Sequence, residues 1–330
     1  MKRIALICMA LIALSACEKF SIGDTTDSSE WLSAVPDGTM VCNVSLPGAH
    51  DAATATLDKA IIRKFAKTQV LSIADQLMYG VRAFDLRPAV VDGELEICHS
   101  EYDTNTSFTE CVNAMVEHLD RYPSEFIIVV IRHEEEADGN SDKWAGMMSD
   151  FIGSLPENRI MKTFDPEMTV SQMRGRILFL SRNEYRDEPY GAYIKGWTSG
   201  TDLEKQKSAT IGEGSLWIQD YYDPDGADDK LDAIEAMLRA FSANEKRGVW
   251  CINHTSAYVP GIFSAPDYGA NAENVNAKTA EWIDSMSGST GIIVMDFAGA
   301  DGYKNYKVAG DILLKAVINH NTLLTKVSFR

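Results

Sequence analysis

Eight short runs of apolar, largely β-branched residues recur along the chain, at 40–46, 81–86, 94–98, 126–131, 176–181, 215–219, 248–252 and 291–295. Runs of this length and composition read as strands buried on both faces. Helical patterns lie between several of them. Within 108–122 the apolar residues Val112, Met115, Val116 and Leu119 fall on one helix face, and Pro123 stops the pattern. The windows 229–242, 278–286 and 308–318 also suit helices. Strands alternating with helices predict a parallel sheet. Eight such strands in 330 residues predict an α/β fold, a single (β/α)8 barrel of the TIM type. The third run follows the second across the short turn Asp92-Gly93, so the barrel is expected to be irregular there. With 45% hydrophobic and 24% charged residues the chain has the material for a sizeable core.

Each run delivers polar residues at its C-terminal end: His50 and Asp51, Arg87, His99, Arg132, Arg182, Asp220, Asn253 and Asp296. Active sites of such barrels sit at that face. So basic a set of strand ends is unexpected in a chain of net charge −17. An acidic surface repels nucleic acid and anionic membranes at long range. Any anionic substrate must therefore be captured by basic groups gathered in one place. A histidine whose pKa lies near working pH can take or give a proton. The competing reading of His50 is a buried imidazole satisfying a loop carbonyl. For Arg132 it is pairing with Glu134, Glu135 or Glu136, read as a solvated acidic run.

The N-terminus is not part of the fold. Lys2 and Arg3 precede an apolar stretch at 4–14, too short for an ordinary membrane span, so 1–16 reads as a secretory signal. Leu14-Ser15-Ala16-Cys17 resembles the lipobox of bacterial lipoproteins, which implies lipidation at Cys17. The alternative is a plain signal peptide cleaved nearby. Residues 17–30, rich in Ser, Thr, Asp and Gly, read as a flexible tether to a barrel spanning 31–330. Export as a lipoprotein held at the outer membrane or cell surface is the expected location. Loss of the signal leaves 29 basic against 48 acidic residues, a net −19. Four cysteines follow Cys17: Cys42, Cys98, Cys111 and Cys251. An exported protein permits a Cys98–Cys111 disulfide, and four buried thiols are the equal alternative. No CxxC pair suggests zinc.

Residues 31–132 resemble the X region of bacterial phosphatidylinositol-specific phospholipases C. The resemblance is carried by an ordered set of pieces. They are Trp31 with Val35-Pro36-Asp37, Ser45-Leu46-Pro47-Gly48-Ala49-His50-Asp51, Thr68-Gln69, Ile73 with Gln76-Leu77, Gly80-Val81-Arg82-Ala83-Phe84-Asp85-Leu86-Arg87, the run ending at His99, and Tyr122-Pro123-Ser124-Glu125. It continues more weakly to Phe297. The resemblance implies cleavage of phosphatidylinositol to diacylglycerol and inositol 1,2-cyclic phosphate. It implies His50 as general base with Asp296 as its partner, His99 as general acid with Asp51 as its partner, and Arg87 on the phosphate. Asp85, Arg132, Arg182, Asp220 and Tyr222 fall to substrate binding, with Asp85 read as an ion-pair partner of Arg87. No cofactor and no metal are implied, because a guanidinium at Arg87 supplies the charge a divalent ion gives in eukaryotic relatives. The implied partner is phosphatidylinositol in membranes, with glycosylphosphatidylinositol anchors left open, and a monomer is expected.

Two positions depart from the family pattern: Ala49 stands where Thr is usual, and Ser100 where Gly usually follows the acid histidine. Two other readings stay open, a phosphodiesterase for another lipid or glycerophosphodiester headgroup and a non-catalytic inositol- or glycan-binding lipoprotein. A strongly acidic chain that works on a membrane needs apolar contacts at the pocket rim. Ile62, Phe65, Ile262 and Phe263 are the candidates, with core packing as the alternative.

Overall fold

A computed structural model describes residues 28–57, 66–243, 247–258 and 266–322. Cys17 and the rim candidates Ile62, Phe65, Ile262 and Phe263 lie outside the described residues. The strands are β1 (Leu46–Ala49), β2 (Ala83–Leu86), β3 (Pro88–Val91), β4 (Glu94–His99), β5 (Tyr102–Ser107), β6 (Ile127–Ile131), β7 (Ile177–Ser181), β8 (Ala192–Lys195), β9 (Ala209–Ile211), β10 (Gly214–Gln219), β11 (Val249–His254) and β12 (Ile292–Met295). A closed barrel runs in the order β1-β12-β11-β10-β9-β8-β7-β6-β2 and returns to β1. Eight of these strands are parallel, and β9 runs antiparallel between β8 and β10.

The barrel prediction holds with three corrections. The run at 94–98 is not a barrel strand. It is β4, the middle of a separate antiparallel sheet, β3-β4-β5. A parallel neighbour requires a crossover of a dozen or more residues, and the gap from Arg87 to Glu94 is too short for one. The eighth parallel place belongs to β8, a strand with no long apolar run to announce it. The first run is also displaced: Val41–Asn43 forms a 3-10 turn, and the strand starts at Leu46. Lastly, residues 28–30, expected as the end of the tether, are folded: Ser28–Ala34 forms 3-10 turns whose Ser29 carbonyl accepts from the Arg82 guanidinium.

Strand interiors are fully buried at β1, β2, β6, β7 and β12, as expected for a sheet covered by helices outside and packed inside. The helices Phe108–Arg121, Ala227–Ser242, Tyr268–Ser285 and Gly310–His320 supply part of the outer layer. Below the barrel, Arg82 and Glu125 form a solvent-free ion pair at 2.8 Å. Cys42, Cys98, Cys111 and Cys251 are buried free thiols, which settles the disulfide alternative for Cys98 and Cys111.

Candidate active site

Strand register builds the site. Ala49 pairs with Met295, so the next residues, His50 and Asp296, emerge side by side. Leu86 pairs with Ile131, and Ile131 with Ser181, which sets Arg87, Arg132 and Arg182 in a row. Gln219 pairs with Asn253, so Asp220 and His254 follow together. His99 arrives differently. The antiparallel register Pro88 to Ile97 folds β4 back along β3, and the Cys98 N–H donates to the Arg87 carbonyl at 3.0 Å. His99 thereby returns to the mouth of β2.

The close approach of β1 to its neighbours depends on Gly48, where an added Cβ would sit 3.3 Å from Ala83, Ile292 and the Ile293 carbonyl. Gln69 then clamps the ends of β1 and β12. Its amide donates to the carbonyls of His50 and Met295, both at 2.9 Å, and its oxygen accepts from the Ala298 N–H. This gives the Thr68-Gln69 motif a physical role that its sequence alone did not disclose.

Asp51 is the hub. It holds a left-handed backbone conformation, φ 41°, which Asp tolerates better than most residues. Its Oδ2 lies 3.0 Å from His99 Nε2 and 3.4 Å from His50 Nε2, and its Oδ1 lies 2.6 Å from Arg87 Nε. Arg87 Nη2 reaches Asp85 Oδ2 at 3.2 Å and His50 Nε2 at 3.1 Å. On the far side of the His50 ring, Nδ1 donates to Asp296 Oδ1 at 2.8 Å. That bond fixes the tautomer and leaves Nε2 facing Arg87 and Asp51.

Charge follows from this geometry. Burial opposes a charge on His50, yet the carboxylates of Asp51 and Asp296 outweigh it and push the ring up to about 9. Burial would also raise Asp51, but Arg87, His50 and His99 hold it well below the usual carboxylate range. Burial wins at Asp296, whose pKa is raised.

An open cavity of about 490 Å³ lies over this cluster. His50, Arg87, His99, Arg132, Arg182, Asp220 and Tyr222 all line it. Asp85 does not: it lies beneath Arg87, accepting from the guanidinium and from the Asp51 N–H at 3.4 Å. Arg132 makes no close ion pair with Glu134, Glu135 or Glu136 among the described residues, although its charge acts on Glu134 across the cavity they both line. Burial lowers Arg182 to about 10, and its guanidinium stacks 4.0 Å over the ring of Trp197. The Trp197 indole N–H donates to Asp220 Oδ2 at 2.8 Å.

Sequence reasoning missed several lining or supporting residues. Glu134 is not part of a solvated run. It is buried, lines the cavity, accepts from the Ser100 N–H at 3.1 Å, and sits 3.8 Å from Arg87 Nη1. Trp197 follows the unrecognised β8. His254 ends a strand that runs two residues beyond the apolar stretch. Ser100 has φ 53°, a conformation that favours glycine, so a Gly at the position after His99 suits the turn. Ser100 holds that turn by bonding its N–H to Glu134 and its hydroxyl to Glu136.

His50, Asp51 and Asp85 offer ligand atoms within 4.8 Å of one another, the spacing of a cation cage. The Arg87 guanidinium already forms ion pairs with both carboxylates. A divalent ion would have to displace it, so the residues present do not fit a metal.

Residues 44–183 match the family described as phosphatidylinositol-specific phospholipase C, X domain. The 1-phosphatidylinositol phosphodiesterase of Staphylococcus aureus is 25% identical over 280 residues, covering 82% of this chain and 88% of that relative. The enzyme of the same description from Listeria monocytogenes is 25% identical over 294 residues, covering 86% of each. A solved structure of the S. aureus phosphatidylinositol-specific phospholipase C superposes with a TM-score of 0.76 at 20% identity, over 89% of this chain and 97% of that one.

Proposed function

We propose that this chain cleaves phosphatidylinositol to diacylglycerol and inositol 1,2-cyclic phosphate, a reading supported by the match of residues 44–183 to the phosphatidylinositol-specific phospholipase C X-domain family. One observation carries the reading. Two imidazole Nε2 atoms and a guanidinium converge on the single carboxylate of Asp51, beneath a cavity lined by further cations.

His50 takes the proton of the inositol 2-hydroxyl through Nε2, with Nδ1 anchored on Asp296. The oxygen so activated attacks phosphorus within the same molecule, where proximity lowers the barrier. Arg87 neutralises charge growing on the phosphoryl oxygens. His99 gives a proton to the departing diacylglycerol oxygen while Asp51 holds its ring. Arg132, Arg182, Glu134 and Asp220 offer charged partners to the inositol hydroxyls, and Tyr222 covers an apolar side of the ring. Phosphatidylinositol and glycosylphosphatidylinositol anchors present the same phosphodiester, and a single copy of the chain carries every residue named.

The test is incubation with radiolabelled phosphatidylinositol, with and without chelator, followed by identification of the products. Cyclic inositol phosphate is expected at undiminished rate in EDTA, since Arg87 replaces a cation. Loss of activity in EDTA, restored by calcium, would sink the metal-independent reading.

Export as a lipoprotein belongs to the same proposal, supported by Lys2, Arg3, the apolar stretch at 4–14 and the lipobox-like Leu14-Ser15-Ala16-Cys17. Expression in a bacterial host with labelled palmitate should label the chain. A Cys17→Ser chain that still takes up label would defeat the assignment.

A further inference from the structure

Tyr268 is used nowhere in the mechanism above, yet it stands against both histidines. It opens the helix Tyr268–Ser285, and that start is fixed by Asp267, whose side chain accepts from the Ala270 N–H at 3.2 Å and from the Tyr306 hydroxyl at 2.7 Å. The Tyr268 ring is 2% exposed. It meets His99 edge-on, with centroids 6.1 Å apart and planes at 89°, and it meets His50 at 6.3 Å. Its hydroxyl lies 3.4 Å from His99 Nε2.

That nitrogen is shared, because Asp51 Oδ2 lies 3.0 Å from it. The two partners suit different protonation states. While Nε2 carries a proton, the carboxylate is the stronger acceptor and takes the hydrogen bond. Once the proton has left, the Nε2 lone pair faces an acceptor-only carboxylate and needs a donor. The phenol O–H is the donor at hand. Burial, with Tyr222, Asp51 and Asp296 nearby, holds Tyr268 well above the usual phenol range, so it keeps its hydrogen.

We propose that Tyr268 is a positioning residue for His99: it orients the ring for proton donation and donates its O–H to Nε2 after the proton has passed to the departing diacylglycerol oxygen. The inference rests on His99 being the general acid. In the step, the P–O bond to diacylglycerol breaks, the leaving oxygen gains the Nε2 proton, and the phenol hydrogen stays on tyrosine.

The test uses Tyr268→Phe, which keeps the ring and removes the hydroxyl, in the full chain beside His99→Ala. Two substrates are compared: phosphatidylinositol, and an inositol phosphodiester with an aryl leaving group that departs without protonation. Tyr268→Phe is expected to lower kcat on phosphatidylinositol roughly 3- to 10-fold, the scale of one hydrogen bond. KM should be little changed and kcat on the aryl substrate near that of the parent. Equal losses on both substrates, or no loss on either, overturn the proposal. If the aryl substrate rescues His99→Ala but the Tyr268→Phe loss is not selective, the proposal alone fails. If it does not rescue His99→Ala, the acid assignment fails and takes the proposal with it.

Discussion

Replacing His50 or His99 by alanine is expected to lower kcat on phosphatidylinositol by at least ~10²-fold in each case, the usual scale for a positioned acid or base. The two variants should then part company. A substrate with a good leaving group should recover much of the His99→Ala loss and little of the His50→Ala loss, because only the acid step becomes dispensable. Equal recovery would refute the assigned roles. The pH profile adds a sign. His50 must be neutral to act as a base, and the carboxylates beside it raise its pKa to about 9. Asp296→Asn removes one of those carboxylates, lowers the pKa, and should move the acidic limb of the kcat/KM profile to lower pH.

Arg87→Ala carries two large expected losses with separate causes. On activity, removal of the phosphate-facing guanidinium should cost roughly 10²- to 10³-fold in kcat, as for other preorganised charge-stabilising donors. On stability, Asp51, Asp85 and Glu134 would be left as buried carboxylates around an empty place. Breaking a buried ion pair by removing one partner costs about 3–5 kcal/mol. Denaturant titration should show that loss directly. Arg87→Lys tests geometry: one ammonium cannot take the place of Nε on Asp51 and Nη2 on Asp85 together. It should keep more stability than alanine while staying deficient in turnover. An Arg87→Ala enzyme within ten-fold of the parent would remove arginine from the phosphate step.

The parts of the site that could be read from the sequence were those where an apolar run ends abruptly on a charge. His50, Arg87, Arg132, Arg182, Asp220 and Asp296 all follow such runs, and register alone then brings them to one mouth. What escaped lay where that signal fades. β8 has four residues, one of them the exposed Lys195, so its apolar content is too slight to stand out, and Trp197 was lost with it. β11 continues through Asn253 and His254. Asn253 is tolerated inside because its amide accepts from Gln219 at 2.7 Å and donates to the Ile234 carbonyl at 3.2 Å. Of the three successive glutamates only Glu134 is buried; Glu136 is exposed yet still reaches the cavity. The 94–98 run is apolar enough for a barrel strand, but the Asp92-Gly93 turn makes it half of a hairpin with β3.

His50 and Asp296 directly follow the first and last strands of the barrel, 246 residues apart in sequence. A chain synthesised from its N-terminus carries His50 early and Asp296 almost at the end. Until β12 docks between β1 and β11, the barrel has no closing seam and His50 has no anchor for Nδ1. Pairings of such long sequence separation form late, after the entropy of closing the chain has been met by local structure. A nascent or truncated polypeptide therefore holds Arg87, Arg132 and Arg182 but lacks the assembled His50–Asp296 pair. Closure of the barrel and pairing of His50 with Asp296 are therefore one event.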